Sequence, residues 1–324
     1  MDIAALDNST TSTPAEVEGL VAQARDLISA SRAESTRRAY RSSQQSFENF
    51  CAEHNFTALP AESATVALYL THLFKERNLK PSTVQRHASA ISVWHGEKGL
   101  PSPVGHPAVK DLLSGVRRTT IHEADQKEAI GTNELKRLIA KLDNSPSGIR
   151  NKALLLTGFV GGLRRSEIVA INIGDITHRP EGITIKIKRS KTDQEGKGRS
   201  VALPYSAQQE LCPVLAITAL IELNDSTRGP LFRRIRRGGH IGNERLTPQS
   251  VALVIKTTAH AAGLDPATLS GHSLRRGFVT TAARNGASER AIQRQTGHRS
   301  TAVLRSYIEH ETAFDDNAAA DLGL

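Results

Sequence analysis

Five side chains in the second half of the chain have the types needed to break a phosphodiester bond. They are Arg164 in GLRRSE, His272 and Arg275 in GHSLR, His298 in GHRS, and Tyr307 nine residues later. Attack on a phosphodiester raises the charge on its non-bridging oxygens, and two guanidinium groups stabilise that charge through forked hydrogen bonds. A tyrosine hydroxyl is then the nucleophile and forms a covalent phosphotyrosine. The two histidines hold the phosphate or assist proton removal.

A lysine and a glutamate complete this set. Lys191 lies in the polar turn KRSKTDQEGKGR, where its ammonium group can protonate the leaving oxygen. Three other lysines in this region stay open as alternatives: Lys186, Lys188 and Lys197. Glu167 follows Arg164 by one helical turn and is predicted to orient Arg164 or a neighbouring histidine. Each motif alone is common on solvated surfaces, so the hypothesis depends on their order and spacing together.

Motifs for other chemistries are not found in the sequence. Gly196-Lys197-Gly198 does not match a P-loop, and there is no GxSxG, no HExxH and no carboxylate cluster with metal-ligand spacing. Cys51 and Cys212 are too few for a disulfide framework or a cysteine zinc site. We therefore expect a reaction that needs no metal, nucleotide or other cofactor, in a reducing cytoplasmic setting.

The first half of the chain has apolar residues at helical spacing. After a Ser/Thr-rich start, the pattern predicts helices over 15–30, 35–53, 62–78, 82–98 and 107–119. A polar stretch at 120–131 has no apolar periodicity and is interpreted as a linker. This half is expected to form an all-helical bundle.

The second half is mainly helical but contains two predicted strands. The run 182–188 alternates with period two, and 200–203 is its expected antiparallel partner. Helices are predicted over 132–143, 148–160, from about 164–166, and over 206–223, 247–263, 273–286, 288–296 and 300–312. The expected fold class is mainly α with a small antiparallel β-sheet.

The distribution of charge indicates a polyanionic partner. The formal net charge is +9, but residues 1–31 carry −4 and residues 309–324 carry −5, which leaves +18 for 32–308. A body this basic favours DNA as the partner, although a solvated basic surface is the simpler alternative. With 324 residues, two domains are expected. No apolar run approaches the length of a membrane span, and the N-terminus does not match a secretory signal.

Taken together, the motifs resemble the tyrosine recombinase (phage integrase) family, and within it the Cre-type site-specific recombinases. The resemblance rests on GLRRSE at 162–167, HSLRRG at 272–277, GHRS at 297–300 and the region of Tyr307. In the first half, STRRAYRSSQQSFENFC at 35–51 and STVQRHASAISVWH at 82–95 resemble a core-binding domain.

The resemblance implies a particular domain organisation. It implies an acidic N-terminal arm with an amphipathic helix (1–31), a SAM-like core-binding helical domain that binds DNA (32–122), a linker (123–131) and a catalytic domain (132–324). The catalytic domain is expected to have the DNA breaking-rejoining enzyme fold. Its last segment, 313–324, is expected to be a helix that docks into a neighbouring protomer.

The resemblance also implies the reaction and its partners. The tyrosine bonds to the 3′ phosphate and frees a 5′-hydroxyl, and strands exchange through a Holliday junction. The expected assembly is a homo-tetramer on two double-stranded DNA sites with inverted repeats, in the cytoplasm at the nucleoid. Residues expected to contact DNA are Arg37, Arg38, Arg41, Lys80, Gln85, Arg86, His87, Arg117, Arg118, Arg233, Arg234, Arg236, Arg237, Arg245 and Gln249.

Two other functions stay open at this point. A catalytically silent DNA-binding protein of the same fold is one, although it would be expected to lack Tyr307 or an active-site arginine. A type IB topoisomerase shares the chemistry, but the recombinase-like N-terminal half argues against it. Relaxation of supercoiled DNA without a specific site would distinguish the topoisomerase.

Overall fold

The computed structural model describes Gly19, Leu20, Gln23, residues 34–119, 127–188 and 198–298, and Arg305. The chain divides into two units, Met1–Ala124 and Asp125–Leu324. Gly19, Leu20 and Gln23 are helical, within the helix predicted over 15–30. The rest of the 1–31 arm and the segment 313–324 lie outside the described residues.

Four helices form the described part of the N-terminal unit: α1 (Glu34–Glu53), α2 (Ser63–Lys75), α3 (Pro81–Glu97) and α4 (Pro107–Thr119). Proline begins both α3 and α4, where its fixed φ suits the first turn and its missing N–H group is not needed. The core centres on Phe47 and Tyr69, whose ring centroids lie 5.0 Å apart, and continues through Leu70 and Ile91. The predicted bundle is confirmed.

The C-terminal unit combines helices with two small antiparallel sheets. Its helices are α5 (Thr132–Ile139), α6 (Pro146–Val160), α7 (Arg165–Ala170), α8 (Pro213–Asn224), α9 (Pro248–Ala261), α10 (Ser273–Arg284) and α11 (Glu289–Thr296). Its strands are β1 (Ile176–Arg179), β2 (Gly182–Ile187), β3 (Arg199–Pro204), β4 (Arg233–Ile235) and β5 (Ile241–Arg245). The mainly helical fold with a small antiparallel sheet is confirmed.

The three-stranded sheet has β2 at its centre, and its register follows from the sequence pattern. Ile183 pairs with Leu203 and Ile185 with Val201, so the apolar residues of both strands share one buried face. That face packs into the same core as α6, a helix whose interior residues Leu154, Leu155 and Leu156 are fully buried.

The strands β1, β4 and β5 and the start of helix α8 differ from the prediction. The strand β1 and the hairpin β4–β5 were not expected, because β1 is mostly exposed and β4 begins with two arginines rather than alternating residues. Helix α8 begins at Pro213, not at 206, since a proline suits the first helical position. The hairpin is joined to its surroundings by Arg245 of β5, which donates to the carbonyls of Val169 and Ile171. The residues just before β4 add the isolated bridge between Asn172 and Pro230.

The prediction that residues 123–131 form a linker is wrong for the second part of this range. Ile130 is fully buried, and its N–H donates to the Ser273 carbonyl at 3.0 Å. The Glu128 N–H likewise donates to Thr268 at 2.9 Å. A Cβ on Gly277 would lie 1.8 Å from the Ile130 carbonyl oxygen, so the segment crosses α10 in backbone contact. Isolated apolar residues in a polar stretch give no periodicity, which is why the pattern indicated a linker.

Within the described ranges, no helix is both long enough and apolar enough to cross a bilayer.

Candidate active site

Arg164 lies at a sharp break between two helices. After α6, Gly162 has a φ of +56°, in the left-handed region that favours glycine. A Cβ at Gly162 would also lie 2.9 Å from Thr296 Cγ2, so the close approach needs glycine as well. Arg164 is the extended residue before α7, and its backbone N–H donates to Glu167 Oε2 at 2.9 Å. The predicted helix start at 164–166 is confirmed.

Glu167 is a buried carboxylate held between two arginines. Its side chain is 1% exposed, while Arg164 Nη1 donates to Oε1 at 2.8 Å and Arg199 Nη2 donates to Oε2 at 3.0 Å. Burial alone would raise the pKa of Glu167, but Arg199 and the Arg164 amide and guanidinium outweigh it and hold the pKa below its usual range. Glu167 is therefore an ionised anchor that orients Arg164.

Arg199 is a site residue that the sequence analysis missed. It begins β3, and besides Glu167 its guanidinium donates through Nη1 to the backbone carbonyl of Gln295, at the end of α11. A Cβ on Gly297 would lie 2.7 Å from Arg199 Nε, so Gly297 makes room for this side chain. Arg199 thus joins the β2–β3 hairpin to Glu167 and to the segment that carries His298.

Arg275 is the second predicted phosphate-binding arginine, and it is 4% exposed on α10. Its Nη1 donates to the carbonyl of Gly162 at 2.7 Å and to the carbonyl of Thr296 at 2.6 Å. These two carbonyls belong to Gly162, two residues before Arg164, and to Thr296, two residues before His298. The contacts fix the guanidinium plane and bring the three motifs together.

His298 lies among the charges of this cluster. Burial and the positive charges of Arg275, Arg164 and Arg199 lower its pKa to about 4, against a smaller opposing effect of Glu167. Its Nδ1 lies 2.8 Å from Thr296 Oγ1, and its carbonyl accepts from Gln293 Nε2 at 2.9 Å. The ring is therefore neutral near pH 7 in the absence of an anion.

His272 lies at the start of the helix that carries Arg275. It is the residue before α10, it is exposed, and its backbone N–H donates to Ser270 Oγ at 3.2 Å. The predicted spacing of three residues thus places an exposed histidine one helical turn before the buried Arg275.

The remaining catalytic candidates, Lys191 and Tyr307, lie outside the described residues. Among the alternative lysines, Lys188 Nζ lies 2.5 Å from Asp175 Oδ1 and is paired there, while Lys186 is exposed on β2. Tyr205 follows the far end of β3, six residues after Arg199. At about 3.3 Å per residue it is about 20 Å along the strand from the cluster, which argues against Tyr205 as the nucleophile.

The cluster is suited to an anion rather than to a metal ion. Arg164 and Arg199 share the single carboxylate of Glu167, and Arg275 adds a third positive charge near His298, so the positive charges exceed the negative ones. Over the described part of the chain, no group of three His, Cys, Asp or Glu side chains could hold a metal. The donors are N–H groups, which match phosphate oxygens.

Most of the residues expected to contact DNA are exposed. In the N-terminal unit these are Arg37, Arg38, Arg41, Lys80, Gln85, Arg86, Arg117 and Arg118, and in the C-terminal unit Arg234, Arg236, Arg237, Arg245 and Gln249. Arg37, Arg41 and Gln44 of α1, with Trp94 of α3, line a cavity of about 160 Å³ on the bundle surface. Arg38 pairs with Glu34, and Arg236 pairs with Glu244.

His87 is corrected by its burial. It is 6% exposed in the bundle core, and its Nδ1 lies 2.8 Å from the Tyr69 hydroxyl, which donates to Ser46 Oγ at 2.9 Å. Burial, with a smaller effect of Arg86, lowers the pKa of His87 to about 4. A neutral core histidine does not reach a groove of DNA, so we leave it out of the DNA surface.

Arg233 and Arg245 are also held by the protein itself. Arg233 is 9% exposed and donates to the carbonyls of Pro230, Asn224 and Arg228. Arg245 donates to the carbonyls of Val169 and Ile171 and to Asn172 Oδ1. The sequence alone did not distinguish these arginines from free surface arginines. Arg233 is buried and we leave it out of the DNA surface, whereas Arg245 is exposed and stays a predicted DNA contact.

Comparisons with known proteins show the family to which the chain belongs. The model described as the phage integrase family matches residues 128–313. The chain is 37% identical over 305 residues to the integrase/recombinase xerD homolog of Selenomonas ruminantium, covering 93% of this chain and 89% of that protein. It is 26% identical to the recombinase cre of Escherichia phage P1, covering 82% of this chain and 81% of that protein. The chain belongs to the phage integrase family, and its enzymatic class is that of the tyrosine-type site-specific recombinases.

Solved structures show the same fold. The Tn1549 transposon integrase in complex with transposon right end DNA aligns with a TM-score of 0.63 at 14% identity, covering 90% of this chain and 93% of that chain. A lambda integrase tetramer bound to a Holliday junction aligns with a TM-score of 0.56 at 16% identity, covering 86% of this chain and 75% of that chain. The expected DNA breaking-rejoining fold is confirmed.

Proposed function

We propose that this protein cuts and rejoins two DNA sites through a covalent 3′-phosphotyrosine, with strand exchange through a Holliday junction in a homo-tetramer. The observation that carries the proposal is the cluster in which Arg164 and Arg199 share the buried Glu167, beside Arg275 and His298. Such a set of fixed donors stabilises charge that develops on a phosphate in the transition state. Family membership supports a tyrosine nucleophile.

In the proposed reaction the two arginines bind the non-bridging oxygens. Glu167 holds the Arg164 fork, and the carbonyls of Gly162 and Thr296 hold Arg275, so neither guanidinium reorganises when the charge rises. His298 donates a hydrogen bond to the phosphate. These side chains take the place that a metal ion has in other phosphoryl-transfer enzymes.

Bond breaking is assigned to the other three candidates. The hydroxyl oxygen of Tyr307 attacks phosphorus and its proton passes to His272, while the bond from phosphorus to the 5′-oxygen breaks and Lys191 protonates that oxygen. The phosphotyrosine retains the energy of the phosphodiester bond. Attack by a 5′-hydroxyl from a second strand therefore rejoins DNA without a nucleotide cofactor, and EDTA is expected to leave cleavage intact.

The exposed basic residues of both units are proposed to bind double-stranded DNA. On α1, Arg37 and Arg41 are one helical turn apart and lie beside the cavity shared with α3, where their guanidinium groups can reach phosphates while Gln85 and Arg86 of α3 reach base edges. The sites are proposed to carry inverted repeats, and the enzyme to act at the nucleoid in the cytoplasm.

The tetramer is proposed by analogy with the lambda integrase assembly on a Holliday junction. Its expected contact is residues 313–324 docking into the next protomer around a ring. Deletion of 313–324 should then leave binding to a single site intact and abolish synapsis, as measured by gel shift of one-site and two-site complexes. A truncated protein that recombines normally would contradict this assembly.

The central experiment uses nicked suicide substrates made from DNA that flanks the native gene. Wild type is expected to form a covalent adduct and Tyr307→Phe none, because only the nucleophilic oxygen is removed. Tyr205→Phe is the matched control and should form the adduct normally, since Tyr205 is half-exposed and remote from the cluster.

Other outcomes identify other functions. An adduct that persists in Tyr307→Phe would overturn the assignment of the nucleophile. Specific binding without any adduct would indicate a catalytically silent DNA-binding protein. Relaxation of supercoiled DNA that lacks any specific site would indicate a topoisomerase.

A further inference from the structure

Thr296 is bonded to two side chains of the proposed site. It is the last residue of α11, is fully buried, and lies two residues before His298. Its backbone carbonyl accepts from Arg275 Nη1 at 2.6 Å. Its hydroxyl oxygen lies 2.7 Å from the Ile292 carbonyl oxygen and 2.8 Å from His298 Nδ1. No part of the proposed reaction has so far used this hydroxyl.

The direction of these hydrogen bonds follows from the number of protons. A threonine hydroxyl has one proton and can accept through its lone pairs. The Ile292 carbonyl can only accept, and two buried oxygens 2.7 Å apart repel each other unless a proton lies between them. The hydroxyl therefore donates to Ile292, and its oxygen accepts from His298. The proton of the neutral imidazole is thus on Nδ1, and Nε2 has a lone pair.

The charges around His298 determine whether its ring has one N–H group or two. The charged groups that act on His298 are Arg275 on α10, Arg164 before α7, Arg199 on β3 and Glu167 on α7. With burial, they keep the imidazole neutral near pH 7 while no anion is bound, since its pKa is about 4. A neutral ring has a single N–H group, and in this protein that group donates to the hydroxyl oxygen of Thr296.

We propose that Thr296 is a positioning residue that fixes His298 as the Nδ1–H tautomer, so that Nε2 donates to the DNA phosphate only after the ring takes up a proton. The inference rests on the proposed function for its phosphate ligand. The entering phosphate supplies the negative charge that stabilises the imidazolium, the proton comes from solvent, and Nδ1–H stays on Thr296 throughout. Phosphate contact at His298 is therefore coupled to the uptake of one proton.

The first test reads the tautomer directly. Full-length protein labelled with ¹⁵N-histidine is examined by two-dimensional NMR at pH 7.5 without DNA, and the His298 signals are assigned with His298→Asn. The expected spectrum has Nδ1 protonated and Nε2 unprotonated. Thr296→Val keeps the branched shape without the hydroxyl and should shift the population toward Nε2–H, whereas Thr296→Ser should keep the wild-type tautomer. A wild-type His298 with its proton on Nε2 would overturn the proposal.

The second test reads the pH dependence of the single-turnover cleavage rate. A substrate with sulfur at the 5′-bridging position leaves without a proton, which removes the effect of the general acid. In the Thr296→Val variant the neutral ring still has an N–H group on Nε2 for the phosphate, whereas in wild type only the protonated ring has one. Above the pKa of His298 in the complex, the ratio of the wild-type rate to the Thr296→Val rate should therefore fall by up to about tenfold per pH unit. The ratio of the wild-type rate to the Thr296→Ser rate should stay constant as the pH changes.

The two tests separate the possible failures. A wild-type to Thr296→Val ratio that does not change with pH would show a purely structural role for Thr296 and overturn the proposal. If Thr296→Val does not fold, the wild-type and Thr296→Ser spectra still decide the tautomer. If wild type forms no adduct, the proposed function fails, whereas the tautomer measurement, which needs no DNA, decides the role of Thr296 separately.

Discussion

Two histidines, His87 in the N-terminal unit and His298 in the C-terminal unit, have their pKa lowered to about 4 for different reasons, and only His87 is buried. For His87 the main cause is burial in the bundle core, with a small effect of Arg86. For His298 burial acts together with the charges of Arg275, Arg164 and Arg199. Both rings are neutral near pH 7, so the pKa alone does not distinguish a core residue from a site residue.

The partners of the two rings do distinguish them. His87 bonds to the hydroxyl of Tyr69, which bonds to Ser46, so the whole set is neutral. His298 bonds to Thr296 within a cluster of ionised side chains, where an arriving anion changes the balance of charge. A substitution at His87 is therefore expected to change stability, and one at the His298 cluster to change the chemistry.

The largest effect is expected for Glu167→Gln, which keeps the shape but removes the charge between Arg164 and Arg199. Two partly buried cations lose their partner, so the free energy of unfolding should fall by about 3–5 kcal/mol, and cleavage should be lost. Urea unfolding and the adduct assay measure the two effects. Glu244→Gln removes a carboxylate from an exposed pair with Arg236 and should change neither.

Arg275→Lys separates charge from geometry in the same cluster. Lysine keeps the positive charge near His298 but loses the planar guanidinium, whose Nη1 donates to Gly162 and Thr296 and whose fork is proposed to hold the phosphate. The cleavage rate should fall by about 10²–10³, with little change in the pKa of His298. Single-turnover cleavage and an NMR titration of His298 test this, with the exposed Arg236→Lys as control. A large pKa change in Arg275→Lys would show that the fork, not the charge, sets the state of His298.

Acid should destabilise the bundle through His87. Its ordinary pKa is 6.5 and its folded value is about 4, so the unfolded chain binds more protons between these values and stability is lost as pH falls through this range. From pH 6.5 to 5 the loss is about 2 kcal/mol. The single tryptophan, Trp94 on α3, reports unfolding of this unit in urea.

The control for the acid effect is His87→Gln, which does not titrate. It should be less stable than wild type at pH 7.5 but should lack most of the loss between pH 6.5 and 5. An equal loss in the variant would assign the acid sensitivity of the bundle to other groups.

The smallest effect is expected on DNA affinity. Removing two exposed arginines by Arg37→Ala and Arg41→Ala should lower the slope of log affinity against log salt by about two, because each phosphate contact contributes about 0.9. Arg233→Ala should leave the slope unchanged and lower stability instead, since Arg233 is buried on backbone carbonyls. Fluorescence anisotropy over a salt series measures both. An unchanged slope in the double variant would place the DNA surface elsewhere.

The sequence predicted the helices and the motif order but not which basic residues are structural. Arg199 was missed because it is 32 residues from Glu167 and stands among other basic residues in a polar turn. The strand β4 was also missed because it begins with two consecutive arginines. Arg233 points into the protein and Arg234 points outward, but this alternation is visible only from their burial.

A signal for His87 was present in the sequence. Val84, Ala88, Ile91 and His87 recur at helical spacing on α3 and share its buried face. The adjacent Arg86 is exposed, and its positive charge favoured the prediction of a DNA contact in this part of the helix. Periodicity can therefore separate a core histidine from a surface one, but the partner of the ring, Tyr69, comes from another helix and is known only from the fold.

The segment that crosses α10 sets where this protein can be divided. Ile130 bonds to Ser273 on the helix that carries Arg275, and Lys127 accepts from Arg276 of the same helix through its carbonyl. A catalytic fragment cut at 131 would lose both contacts and expose the backbone beside Gly277. When DNA-binding domains are exchanged between recombinases, the two sequences should therefore be joined upstream of Lys127. The catalytic domain then keeps the residues that contact α10.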